Sequence, residues 1–214
     1  METDYIRIKT LLILIITIAF IEGASIFLFS DSPLNPMVII GTARIIETLI
    51  ITIALMTLEK GLSSIGLEIS TIQEGLKKGL LWSIIFGLIT GFIFFILHFA
   101  GMNPVALIST RLPENINEVL LFLIVGCIIG PVAEEFFFRG IIYGFLRKWG
   151  ITVALVLTTV IFIFAHHNTG QIPLTQALGG IVFAIAYEIE DNLVVPIIIH
   201  ILGNTAIFIL PLIF

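Results

Sequence analysis

Seven apolar stretches, most of them near the length that crosses a bilayer, dominate this chain. A hydrocarbon core of about 30 Å needs about 20 apolar residues of helix, and it tolerates no unpaired backbone group, so a chain built this way folds as a helical bundle. The stretches run from about Thr10 to Phe29, Met37 to Leu58 and Gly79 to Ala100; a fourth begins near Ile116 and the last three near Ile151, Pro173 and Leu193. The expected fold is all-α, a polytopic transmembrane bundle of about seven (seven to eight) helices forming a single membrane domain over 1–214.

Composition excludes the soluble alternatives. Charged residues make up 12% of the chain against 58% hydrophobic, where a soluble domain carries about 25% charged. A cytosolic enzyme, a nucleic-acid binder and a disordered chain are ruled out together; the expected surroundings are membrane lipid, with no nucleic acid. The single cysteine, Cys127, lies inside an apolar run, which excludes an intramolecular disulfide and a cysteine-based metal site. The oligomeric state is not legible.

The first stretch follows Arg7 and Lys9 as a signal peptide would, but it is too long and lacks a convincing cleavage site, so it reads as an uncleaved anchor. If the stretches alternate, Arg7, Lys9, Lys60, Lys77, Lys78, Arg147 and Lys148 share one side and Arg111 falls on the other. The positive-inside rule then makes this an integral protein of the cell membrane with a cytoplasmic N-terminus. The polar connection from Glu59 to Lys78 keeps Leu62, Ile65, Leu67, Ile69 and Ile72, which suggests a short amphipathic helix at the interface.

Ionisable groups at membrane depth cost at least ~2.5 to 3.5 kcal/mol each on insertion scales, so each calls for a function or a partner. Three clusters stand out. Glu134 and Glu135 are followed by Arg139, which shares a helical face with Glu135 and can pair with it. Glu134 points roughly 100° away, free to face a cavity. Phe162 and His166, extended by His167 and Asn168, close the fifth stretch, and His200 and Asn204 lie one turn apart in the seventh. Glu134 and His166 are each 16 residues from Gly150, so in an antiparallel hairpin they share one depth, about 24 Å from that turn. A polar network that only glues helices together explains one pair but not this convergence. A proton- or ion-coupled transporter is a stronger alternative, although no inverted repeat is visible; a non-catalytic immunity or scaffold protein is another.

The order E-E-x-x-x-R, F-x-x-x-H, H-x-x-x-N on three successive motif helices resembles the CPBP intramembrane proteases, also called the type II CAAX prenyl endopeptidase or Abi family. The resemblance covers about 116–214, the motif-bearing half; the N-terminal half carries no assignable motif, and the family is often described with eight membrane helices. It implies an intramembrane endopeptidase in which Glu134 matches the catalytic glutamate and Glu135, Arg139, His166, His200 and Asn204 match the other motif positions. Chemistry fits that casting: Glu134 as general base toward water, His166 orienting the water, and His200 and Asn204 donating to the oxyanion. Glu135 with Arg139 would fix the helix geometry or hold a substrate carboxylate. The implied substrate is a peptide or a lipidated protein C-terminus, processed in CAAX fashion or as a bacteriocin-type peptide. The site is either metal-free or built around zinc on Glu134, His166 and His200. Elsewhere, Arg44 and Glu47 most simply neutralise each other, Glu22 either joins Arg44 across helices or lines a path, and His98 reads as interfacial.

Overall fold

The computed structural model describes residues 5–108, 112–166 and 174–213. Among them there is no strand. Seven helices follow in order: α1 (Ile8–Asp31), α2 (Pro36–Leu58), α3 (Ile72–Phe99), α4 (Ile116–Trp149), α5 (Ile151–Ala165), α6 (Leu174–Glu190) and α7 (Val194–Ile213). The first four are long and apolar enough to cross a membrane. His167, Asn168, Arg111 and the expected start of the sixth stretch at Pro173 lie outside the described residues.

The apolar runs become helices because lipid leaves the backbone no other partner, and several hydroxyls within them follow the same rule, whereas those of Thr158 and Thr159 are buried without a partner among the described residues. Thr17, Thr48, Thr52, Ser83, Thr90 and Thr205 each donate to the carbonyl four residues back, so none is exposed to lipid unpaired. Starts are set by short polar caps: Asn35 and Asn115 accept from the backbone N–H two residues on, and Pro36 opens α2 where its missing N–H costs nothing. Gly150, at φ +104°, makes the sharp turn that folds α5 back along α4.

Neighbouring pairs are α1 with α2, α3 with α7, α5 with α6, and α6 with α7, while α4 runs through the middle against α2, α5 and α7. The largest fully buried side chains gather around the second half of α4, with Arg139, Ile141 and Tyr143 shielded completely. α3 stands at the periphery and presents Leu88, Phe92 and Phe99 outward, a surface suited to lipid.

The connection between α2 and α3 differs from the amphipathic interfacial helix that its sequence suggests. It forms two short 3-10 turns, Leu62–Ile65 and Ile69–Thr71, and it is greasy because it packs under the bundle. Ile65 is fully buried against the Cα of Gly140, its carbonyl accepts from Tyr187 Oη (3.0 Å), and Gly66 O accepts from Leu193 N (3.1 Å). Asn192 Nδ2 donates to Thr71 O at 3.0 Å. Gly66 sits at φ +67°, and a Cβ there would stand 2.7 Å from Asp191 O. Gly66→Ala is therefore expected to destabilise the fold by at least about 1–2 kcal/mol through the left-handed backbone alone. A lower thermal unfolding midpoint in detergent is the readout, and an unchanged midpoint would show that this strap is not part of the fold's stability.

Candidate active site

α4 is not a uniform α-helix. Wider π turns interrupt it at Val125–Ile129 and Phe136–Tyr143, and the acidic pair Glu134 and Glu135 ends the short α segment between them. Such turns free carbonyls and re-aim side chains, and they are common where a helix carries function.

Glu135 faces the protein interior with no solvent exposure. Its Oε1 accepts from Arg139 Nη1 (2.9 Å) and from His200 Nδ1 (2.7 Å). Arg139, equally buried, donates from Nη2 to Gly180 O (3.1 Å) and lies over the rings of Phe162 and Phe183, 4.8 and 5.2 Å from their centroids. Gly180 makes this possible: a Cβ there would press on Thr159 and Phe162, so glycine lets α6 approach α5 closely.

Glu134 turns to the other side, where its Oε2 lies 3.2 Å from His166 Nε2 and 3.8 Å from His200 Nε2. This oxygen is buried and has no aligned hydrogen-bond donor among the described residues. The tautomers follow from the partners: Phe162 O can only accept, so His166 Nδ1 carries the hydrogen of their 2.8 Å bond, and the carboxylate of Glu135 likewise takes the Nδ1 hydrogen of His200. Both Nε2 atoms are thereby directed at Glu134. Phe162 packs on His166 (4.3 Å between centroids) and Phe183 stacks on His200 (4.6 Å), which holds both rings in place.

The structure thus brings Glu134, Glu135, Arg139, His166 and His200 into one cluster. Asn204, one turn beyond His200, is directed elsewhere in part: its Nδ2 donates to Gly126 O (2.8 Å), inside the first π turn. Sequence spacing gives no access to that contact, because it joins residues 78 apart on two different helices.

The N-terminal half also reaches the site. α2 packs on the segment of α4 that carries Glu134, and a Cβ on Gly41 would meet Val125 at 2.9 Å, so the two helices are close. On this side Arg44 pairs with Glu22 (2.5 Å) across helices and with Glu47 (2.7 Å) along its own. The only sequence cue to this is the presence of charges at membrane depth.

Zinc would need three or four donors at about 2.0–2.2 Å around one point. Among the described residues no group of three His, Cys, Asp or Glu side chains is arranged to hold a metal ion. Glu134 Oε2 lies 3.2 Å from His166 Nε2 without an aligned hydrogen bond, and its free acceptor capacity suits a water molecule.

Comparison with known proteins converges on the same half of the chain. Residues 116–206 match the family model described as type II CAAX prenyl endopeptidase Rce1-like. The membrane-embedded CAAX protease MroQ of Staphylococcus aureus is 34% identical over 103 residues, which cover 45% of this chain and 41% of the relative. The Bacillus subtilis protein named "Putative membrane peptidase YdiL" is 36% identical over 100 residues, 46% of this chain and 41% of that one. An Escherichia coli protein named only by its mass of 24.3 kDa is 29% identical over 98 residues, covering 43% of this chain and 45% of its own. The matched stretch therefore spans less than half the length of these curated relatives. No solved structure matches significantly. The motif-bearing half of the chain is thus similar to Rce1-like CAAX endopeptidases, the family that its motifs resemble, and the chain is an integral membrane protein.

Proposed function

We propose that this chain, through its Rce1-like domain, is an intramembrane endopeptidase that hydrolyses a peptide bond at membrane depth, with Glu134 activating the water. The observation that carries the reading is the buried Glu134 Oε2, without an aligned donor of its own among the described residues and facing two imidazole Nε2 atoms at 3.2 and 3.8 Å. A carboxylate buried at this depth is stable only with partners, and the partners here are proton-transfer groups.

In this mechanism Glu134 takes one proton from water as its oxygen attacks the carbonyl carbon. His166, pinned through Nδ1, holds the carboxylate and orients the water. His200, protonated at both ring nitrogens and backed at Nδ1 by Glu135, donates a hydrogen bond from Nε2 to the oxyanion and keeps its proton, while Glu134 passes the proton it took from water to the departing amine as the C–N bond breaks. The second amide hydrogen of Asn204 is the further oxyanion donor. The products are a carboxylate and an amine. Arg139 neutralises Glu135 and so keeps that carboxylate acting on His200. The substrate is a peptide or lipidated C-terminus that reaches the bundle from the lipid phase or its surface. The seven helices act as one membrane domain, 116–214 being its catalytic half, with the N-terminus in the cytoplasm.

No step needs a metal. Cleavage of a lipidated peptide by the protein in liposomes is expected to persist in a strong chelator and to be lost in His166→Ala and in His200→Ala, with mass spectrometry of the peptide ends as the readout. Activity abolished by the chelator and restored by zinc would overturn the metal-free mechanism, and no cleavage of any membrane peptide, with Glu134-dependent ion flux instead, would overturn the peptidase reading itself.

A further inference from the structure

Arg44 lies at membrane depth in α2, outside the half of the chain that the motifs and the family model cover, and the mechanism above does not use it. Its Nη1 is clamped between two acids from two helices, Glu22 of α1 at 2.5 Å and Glu47 of α2 at 2.7 Å. Glu47 has only 3% of its side chain exposed, and every charge at this depth carries a cost. Neutralising Glu47 takes one arginine and no second carboxylate, and apolar side chains of similar volume would join α1 to α2 at least as well. What two acids provide, and one does not, is a fixed place for the guanidinium.

The packing of α2 sets where that place is. Gly41, one turn before Arg44, lies against Val125 of α4. Ile51 and Leu55, beyond Glu47, are fully buried in the cluster that holds Phe136 and Ile141 of α4. The stretch between these contacts, Arg44 to Glu47, therefore falls level with Gly130–Glu135, a segment of α4 that α2 touches. From there the charge of Arg44 acts on both Glu134 and His166. The other charged groups around Glu134 are bound elsewhere or belong to the chemistry. Arg139 is tied to Glu135 and to Gly180 O, and His200 is backed by Glu135 at Nδ1. His166 is pinned at Nδ1 by Phe162 O and faces Glu134 directly. Arg44 adds a cation that never loses its proton on the α2 side, with Glu22 and Glu47 on its Nη1.

We infer that Arg44 is a positioning residue of the peptidase site: Glu22 and Glu47 hold it beside Glu134, where its charge keeps that carboxylate in the form that accepts a proton from water. An opposite charge within reach favours the ionised state of a carboxylate, and a neutral Glu134 would be no base. The consequence for rate rests on the peptidase reading; the coupling between Arg44 and Glu134 does not.

Arg44→Gln, purified and placed in liposomes, is expected to lower kcat for a lipidated peptide roughly tenfold with little change in KM. Arg44→Lys, which keeps the charge, should recover most of that loss. Because Arg44→Gln strands a buried acid, a second variant adds Glu47→Gln and leaves only Glu22, at 39% side-chain exposure, without its partner. This double variant should unfold near the wild-type midpoint while kcat stays low. A kcat that returns with the fold would make Arg44 no more than a counter-ion of Glu47 and would overturn the inference. So would full kcat per folded molecule in Arg44→Gln, or a loss that falls on KM alone. The coupling is read without catalysis, from unfolding midpoints of Arg44→Gln and Glu134→Gln, singly and together, in the Glu47→Gln background. The loss from Arg44→Gln should be smaller where Glu134 is already Gln, and strictly additive midpoints would overturn the inference. A protein that shows the coupling and cleaves no membrane peptide refutes only the peptidase reading; one that cleaves with additive midpoints refutes only the role of Arg44.

Discussion

Glu134→Gln is expected to lower the cleavage rate by ~10² or more while the bundle stays assembled, because the amide keeps the shape of the side chain and cannot take a proton from water. The surroundings favour a clean loss. Glu134 is not the buried anchor of the cluster; that place belongs to Glu135, which binds Arg139 and His200. Its own Oε2 makes no aligned hydrogen bond among the described residues, so little fixed structure depends on its charge. The comparison is the rate of product formation for the two purified proteins at equal folded concentration, checked by their unfolding midpoints. A Glu134→Gln protein as fast as the wild type would remove Glu134 from the chemistry, and a lowered midpoint with a normal rate per folded molecule would make it structural.

Why Glu134 is legible in the sequence is a matter of depth. Gly150 fixes a hairpin, and equal counts to Glu134 and His166 place both at one level, where the structure has them 3.2 Å apart. The pairing of Glu135 with Arg139 and of Arg44 with Glu47 follows from helical spacing, and both pairs form. Seven helices follow from seven apolar runs, because in lipid the backbone has nowhere else to bond. What spacing does not carry is lateral packing. Nothing local says that α2 lies against the acidic segment of α4, that Arg44 therefore stands beside the site, or that Asn204 ties itself to Gly126. The strap from Leu62 to Thr71 departs from its expected form for a related reason: an apolar pattern is the same whether its cover is lipid headgroups or Gly140, and only the fold decides. The π turns are equally silent in sequence, being a choice among helical hydrogen bonds that the same side chains permit.

The second large effect concerns stability. Glu135→Ala would leave the Arg139 guanidinium fully buried with one carbonyl and two ring faces for company, and stripping one partner from such a pair costs about 3–5 kcal/mol. An exposed pair offers the contrast: Lys78 with Glu74, at 38% and 62% side-chain exposure, should contribute about 0–1 kcal/mol. Unfolding of the two single variants in detergent should therefore separate clearly, with Glu74→Ala close to wild type and Glu135→Ala far below it or recovered only as aggregate. Replacing both members of the buried pair, Glu135→Leu with Arg139→Met, removes the stranded charge and should restore much of the lost stability, as apolar substitutes for buried ion pairs commonly do. It should not restore cleavage, since His200 then lacks the carboxylate on its Nδ1. A Glu135→Ala protein that unfolds where the wild type does would show that the pair does not hold the helices, and a doubly apolar protein with full activity would show that His200 works without Glu135 behind it.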